Sequence, residues 1–157
     1  MEGRVQYEGT NVEIDLSNFS QCSEYIKNQI LPTMLGEPNT EFNYITTKVS
    51  KNDKIKDKVS SLEKNVKDNN FVIIASYGDH IQKMVTIVEI LKKNFAKDTK
   101  LHQWNRLHSF EHIKPGKNEL LEVRTKVPIM VTALSLADEK EAPQKLTMAS
   151  NQFYRQS

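Results

Sequence analysis

Five residues in one stretch, His102, Trp104, Arg106, His108 and Phe110, alternate so that a β-strand sets them on one face. Aromatic rings interleaved with basic groups suit nucleic acid, because rings stack on unpaired bases and cations meet phosphates. Aromatic residues are also enriched at protein interfaces, so the pattern alone leaves both readings open. Catalytic constellations are scarcer. Ser76, Asp79 and His80 are the residue types of a nucleophile, an acid and a base, but no nucleophile-elbow sequence surrounds Ser76. The four histidines, His80, His102, His108 and His112, show neither zinc-finger nor metalloprotease spacing, so no metal ligand is assigned. There is no Walker lysine and no GxGxxG; the sequence points to no cofactor and no catalytic residue.

Charge favours a polyanion more through its distribution than through its sum. The net charge is only +2. Residues 48–67 hold seven lysines against three acids, and residues 92–117 hold seven Lys or Arg against two, while the first sixteen residues carry one arginine against four acids. A basic middle after a mildly acidic start suits a phosphate-bearing partner. Cys22 is the single cysteine, which excludes an intrachain disulfide and leads us to expect a reducing compartment. No apolar run approaches the ~20 residues that span a bilayer, so no membrane partner is expected. No signal-peptide core is expected at the N-terminus either.

These groups must be positioned by a scaffold, and its centre is Phe71 to Phe95. Phe71–Ala75 is an unbroken apolar run suited to a strand covered on both faces. Ser76, Tyr77 and Gly78 interrupt it, and Asp79, with Gln82 three residues on, has the form of a capping box. Ile81, Met84, Val85, Val88, Leu91 and Phe95 then recur at helical spacing, while Ile87 and Ile90 widen the apolar face beyond what one sheet contact needs. A glycine turn and helix amides at a strand end make a suitable place for a phosphate.

Upstream, Val12, Ile14 and Leu16 alternate as a short edge strand. Ser17, Asn18 and Ser20 offer caps for a helix from about Ser20 to Ile30, with Cys22, Tyr25, Ile26 and Ile30 on one face. Pro32 ends that helix, and Gly36, Pro38 and Asn39 follow as a loop. Glu41–Val49 reads as a strand. Asn52 or Asp53 caps a helix to about Lys67 whose stripe is Ile55, Val59, Leu62 and Val66. Strand, helix, strand at this spacing predicts a parallel crossover unit.

Downstream of a basic turn, Lys97–Lys100, two long segments flank Lys114-Pro115-Gly116-Lys117, the composition of a type II turn. Leu101–Ile113 and Glu119–Leu134 exceed ordinary strand length and predict a two-stranded ribbon projecting as an arm. Pro128 favours an edge or bulge in it. Residues 135–157 read as a loose polar tail in which Phe153 and Tyr154 are candidates for docking on a partner. The expected organisation is an N-terminal extension with a helix over 1–40, a main domain over 41–134 and a tail over 135–157.

Strand, helix, strand, helix and long hairpin, with SYGDHIQKMVTIVEILKKNF at the second turn and helix, resembles the Alba superfamily over about Tyr44 to Leu134. SKNDKIKDKV, QWNRLHSF, NEL and KVPIMVT, together with SQC in the first helix, resemble more narrowly the Alba-like protein subunits of ribonuclease P and ribonuclease MRP. The resemblance implies an α/β (α+β) fold, a β-α-β-α-β-β sandwich with a long C-terminal hairpin and an N-terminal helical extension. It implies a non-catalytic RNA-binding subunit for tRNA 5′ processing and rRNA processing, in which the RNA carries the nuclease chemistry. The implied partners are a second Alba-like subunit in a heterodimer, the ribonuclease P and MRP RNAs, other proteins of those particles and telomerase RNA. The implied location is nuclear, in the nucleolus.

By position, the resemblance assigns RNA contacts to Lys48, Lys51 and Lys54 at the first strand–helix turn, and to Tyr77, Gly78 and His80 around the second; Lys83, on the polar side of the helix that follows, is a further RNA-contact candidate. It assigns Arg106, Lys114, Lys117 and Arg124 to the hairpin. Trp104 joins them from its own pattern, with Tyr77 and Trp104 as candidates for base stacking. Val85, Val88, Ile129 and Val131 are the expected partner interface. The spread of Lys48 and Lys51, and Tyr77 and Asp79 beside the second-turn glycine, depart from the archaeal pattern, which speaks against coating of duplex DNA. The other readings are a general nucleic-acid-coating homodimer and a small enzyme on a split βαβ sheet.

Overall fold

The computed structural model describes residues 3–31, 45–69, 71–95, 101–116, 121–135 and 154–156. Two short strands, β1 (Arg4–Tyr7) and β2 (Thr10–Val12), form a hairpin that reverses at Glu8 and Gly9, both with positive φ. The expected alternating strand thus reaches only Val12. Asn18 then opens α1 (Phe19–Tyr25), its Oδ1 accepting the Gln21 N–H at 3.0 Å. The helix continues as a π-helical segment, Ile26–Ile30. Cys22, Ile26 and Ile30 are buried on the face their spacing predicts, and Leu31 joins them.

Strand β3 (Ile45–Lys48), helix α2 (Ile55–Asn69) and strand β4 (Phe71–Tyr77) follow, with β3 and β4 parallel. A 3₁₀ turn, Gly78–His80, leads into α3 (Ile81–Phe95). No side chain caps that turn, and α3 begins two residues after the expected Asp79 cap. The reason is Gly78, whose φ of +55° swings the chain into the tighter turn before the α-helix starts. Strands β5 (His102–Pro115) and β6 (Glu122–Ser135), 14 residues each, form the long antiparallel ribbon.

The sheet order is β2-β1-β5-β6-β4-β3. Residues Tyr154–Gln156, within the stretch expected to be a loose tail, form β7 and pair with Gln103–Asn105 of β5. Strand β1 pairs with β5 over Phe110–Ile113, so both flank the same edge of the ribbon. Beyond Ile129, β6 has lost β4 as a neighbour, and Leu121–Lys126 are exposed there, as an arm requires. Lys117 of the expected tip, Pro32 to Asn39, the Lys97–Lys100 turn and Phe153 lie outside the described residues.

Two cores sit on opposite faces of the sheet. On one, Ile73, Tyr77, Trp104, Phe110, Ile129 and Val131 pack under Cys22, Ile26, Ile30 and Leu31. On the other, Val72, Ile74 and Leu134 meet Val59, Leu62 and Val66 of α2 and Met84, Ile87, Val88 and Leu91 of α3. Each such fully buried aliphatic side chain stabilises by roughly 1.5–3 kcal/mol relative to an exposed one.

This double coverage corrects part of the expected partner interface. Val88, Ile129 and Val131 are buried in the monomer's own cores and offer nothing to a partner. The N-terminal helix takes the face of β6 that looked spare, and Ile87, read as surplus, is also buried. Val85 alone of the four remains at the surface, 41% exposed.

Candidate nucleic-acid interface

The first strand–helix turn is built from its own polar residues. The Asp53 carboxylate accepts the Ser50 N–H at 2.8 Å, and the Ser50 hydroxyl accepts the Asn52 N–H at 3.2 Å. The second turn is then tied to the first. His80 Nδ1 accepts the Lys51 N–H at 2.9 Å, and Lys83 Nζ donates to the Asp53 carbonyl at 2.9 Å. Lys83 therefore holds the scaffold rather than standing free for a phosphate. Ser76 Oγ donates to the Val49 carbonyl at 2.8 Å, so it is a buried strut and not a nucleophile activated by His80. Among the described residues no group of His, Cys, Asp or Glu has the arrangement to hold a metal ion. No helix of the described residues is long and apolar enough to cross a membrane.

A cleft of about 1140 Å³ opens beside these turns. Lys51 and Asn52 of the first turn and Gly78 and His80 of the second form one side. His112, Lys114 and Pro115 of the arm form another, and Asp15, Leu16, Ser17 and Phe19 of the N-terminal segment also line it. Gly78 lies close to the arm: a Cβ there would stand 3.4 Å from Val127 Cγ1, in a backbone conformation that side chains rarely adopt. The cleft thus collects Lys51, Gly78, His80 and Lys114 from the expected set. Lys48 is adjacent, its Nζ 5.8 Å from the centroid of the Phe19 ring. Lys54 begins the approach to α2, its carbonyl accepting the Lys58 N–H at 3.1 Å.

Other expected contacts are buried or paired within the chain. Tyr77 lines the cleft but is 97% buried, and its hydroxyl donates to the Leu16 carbonyl at 3.0 Å. Burial pushes its pKa well above the usual tyrosine value. Trp104 is buried in the core beneath the N-terminal helix and is no platform for a base. Arg106 is partly buried in the field of Glu8 and Tyr7. Arg124 is exposed but pairs with Glu111 at 3.3 Å and with Glu122 at 3.7 Å. The face that carries Trp104, Arg106, His108 and Phe110 was legible as a face; the N-terminal helix that covers it, and β1 that extends the sheet beside it, were not.

Sequence reasoning missed Phe19 and His112. Phe19, the first residue of α1, stacks against Tyr77 at 6.1 Å and 16° and stands 4.7 Å from the His80 ring. A lone aromatic beside a helix cap is a weak signal until the turns are folded together. His80 itself is held neutral: burial first, then the Lys51 charge, lower its pKa, opposed by Asp79 and Asp53. With Nδ1 accepting, its proton sits on Nε2 and is available as a donor. Chemically the arrangement offers cations, a neutral imidazole donor and an aromatic ring, and no nucleophile–base pair.

A twisted sheet with helices on both faces, paired strand–helix turns and a long two-stranded arm defines the class as Alba-fold proteins. A model of the Alba family matches residues 45–111. The Saccharomyces cerevisiae Ribonucleases P/MRP protein subunit POP6 is 40% identical over 139 residues, which cover 83% of this chain and 88% of that one. Alba from Thermoplasma volcanium superposes with a TM-score of 0.40 at 22% identity, over 59% of this chain and 99% of that one. The chain belongs to the Alba family and is similar to the POP6 subunit over most of its length.

Proposed function

We propose that this protein is an accessory RNA-binding subunit of ribonuclease P and ribonuclease MRP. It grips the catalytic RNA with its strand–helix turns and arm and contributes no nuclease chemistry of its own. The observation that carries the reading is the convergence of Lys51, His80 and Lys114, from three separate elements, on one cleft. Such a site meets the phosphate backbone first, and phosphate contacts position an RNA without reading its sequence. The similarity to POP6 narrows the RNA to those of the two ribonucleoproteins.

The finer features belong to the same proposal. The partner is a second Alba-like subunit, and its contact centres on Val85, an exposed apolar side chain on α3. The location is the nucleolus, the processes are tRNA 5′ and rRNA maturation, and telomerase RNA is a further target. Residues 3–31 serve as an extension of the Alba domain that supports the cleft.

The test is to tag the protein in its own cells, crosslink, sequence the bound RNA and identify co-purified proteins by mass spectrometry. Recovery of the ribonuclease P and MRP RNAs with one Alba-like protein is expected. Broad recovery of unrelated RNA or DNA without a fixed partner would establish a coating homodimer instead.

A further inference from the structure

We infer that Phe19 is a stacking platform for an unpaired nucleotide, so that the cleft selects RNA with an unpaired base over a continuous duplex. This rests on the cleft being the RNA site proposed above and goes beyond it, since phosphate contacts alone do not separate the two forms.

The platform is built before any ligand arrives. Tyr77 backs the Phe19 ring nearly parallel to it, and the Tyr77 hydroxyl is fixed to the Leu16 carbonyl at 3.0 Å. His80 stands beside the ring, its own orientation fixed by the Lys51 N–H at 2.9 Å. Asn18 Oδ1 caps the helix that carries Phe19. A ring held this way loses little freedom on binding, so more of the stacking energy appears as affinity.

Phe19 differs from the other aromatics of this face. Trp104 and Phe110 are closed inside the core, Tyr77 reaches the cleft but is 97% buried, and Tyr7 and Tyr25 are partly exposed away from the cleft, whereas Phe19 is partly exposed and lines it. What stands over it is Lys48 Nζ, at 5.8 Å. An exposed cation–π contact is weaker than a base stacked on an aromatic ring. An arriving base therefore displaces the ammonium, and Lys48 is released toward the flanking phosphate. Duplex bases keep their faces against each other, so only an unstacked base gains from the ring. The cleft, at about 1140 Å³, has room for a splayed nucleotide and its neighbours.

The test uses the full chain and two RNA hairpins, one fully paired and one with an internal loop of adenines that includes 2-aminopurine. Phe19→Ala is expected to weaken binding of the loop hairpin by roughly 5- to 150-fold, the range of one lost base–aromatic stack, and to remove the fluorescence quench. Its affinity for the paired hairpin stays unchanged, and Phe19→Trp restores both loop affinity and quench. Circular dichroism accompanies each variant. If Phe19→Ala loses its native spectrum, Phe19→Leu, which keeps apolar volume without an aromatic face, carries the test. Wild-type binding that depends on Lys51 but ignores Phe19, or equal loss on both hairpins with a native spectrum, overturns the platform alone. Failure of the wild type to bind either hairpin overturns the platform and the RNA reading together.

Discussion

The Lys51 main-chain N–H donates to His80 Nδ1 at 2.9 Å, joining two strand–helix turns that are 29 residues apart in the chain. Together with the Lys83 bond to the Asp53 carbonyl, it ties the two turns that line the cleft. It also makes the join sensitive to protons, since protonated Nδ1 cannot accept.

Stability should therefore fall in mild acid. Burial lowers the folded-state pKa of both His80 and His108. The unfolded chain, with histidines near ~6.5, then takes up protons before the folded one. The contribution of these two groups is complete above about pH 6.5, declines as pH falls toward their folded values and levels off beneath them. Urea midpoints measured down through that window should drop. His80→Gln, whose amide oxygen can still accept the Lys51 N–H, should drop less.

The salt dependence of RNA binding should report the cleft. Replacing Lys51 and Lys114 together by alanine is expected to reduce the slope of log K against log salt by roughly 1.4 to 1.8, the share of two phosphate contacts. Arg106→Ala should leave the slope unchanged, because that side chain is partly buried and sits near the Glu8 carboxylate. A titration at several salt concentrations measures both.

Tyr77→Phe should separate scaffold from contact. It removes the hydrogen bond to the Leu16 carbonyl, at a cost of about 1 kcal/mol, or roughly 2–4 °C in Tm for a chain of this size. RNA affinity should stay near wild type, since the ring that backs Phe19 remains. A large loss of affinity with native stability would instead make the Tyr77 hydroxyl a direct contact.

Two valines three residues apart on α3 should behave oppositely. Val85→Asp is expected to keep a native spectrum and abolish association with the second subunit, because Val85 is exposed. Val88→Asp places an unpaired charge in the core between α3 and the sheet and should unfold the chain. Size-exclusion chromatography with circular dichroism distinguishes these outcomes.

Ile26→Ala tests whether the N-terminal helix is structural. Ile26 is 2% exposed and packs on the face formed by β4, β5 and β6, so the substitution should cost about 2–5 kcal/mol in a denaturant titration. A near-neutral result would mean that the helix detaches at little cost.

The local pattern carried the central elements well. The apolar run at Phe71 and the helical recurrence to Phe95 matched a real strand and helix, because periodicity reports which face is buried, and the two long segments flanking Lys114–Lys117 matched the ribbon strands. Periodicity does not report what does the burying. Trp104, Ile129 and Val131 looked available because α1, about 80 to 110 residues earlier in sequence, gave no sign of lying over them. Lys51, Gly78, His80 and Lys114 lie together at the cleft because turn residues next to strand ends gather at one end of a sheet. Phe19 did not, since its value depends on Tyr77 and His80 being brought to it by the fold. Arg124 carried the right charge, but Glu111 and Glu122 on the paired strands partly neutralise it.

Strand β1 finds its neighbour late in the chain: the Arg4–Glu122 ion pair on the arm spans 118 residues. At a synthesis rate of about 5–20 residues per second, roughly 5 to 25 s separate their appearance at the ribosome. During that interval Cys22, Ile26, Ile30 and Leu31 have no sheet to cover. The N-terminal helix can therefore complete its packing only after the β5 and β6 residues it covers have been made.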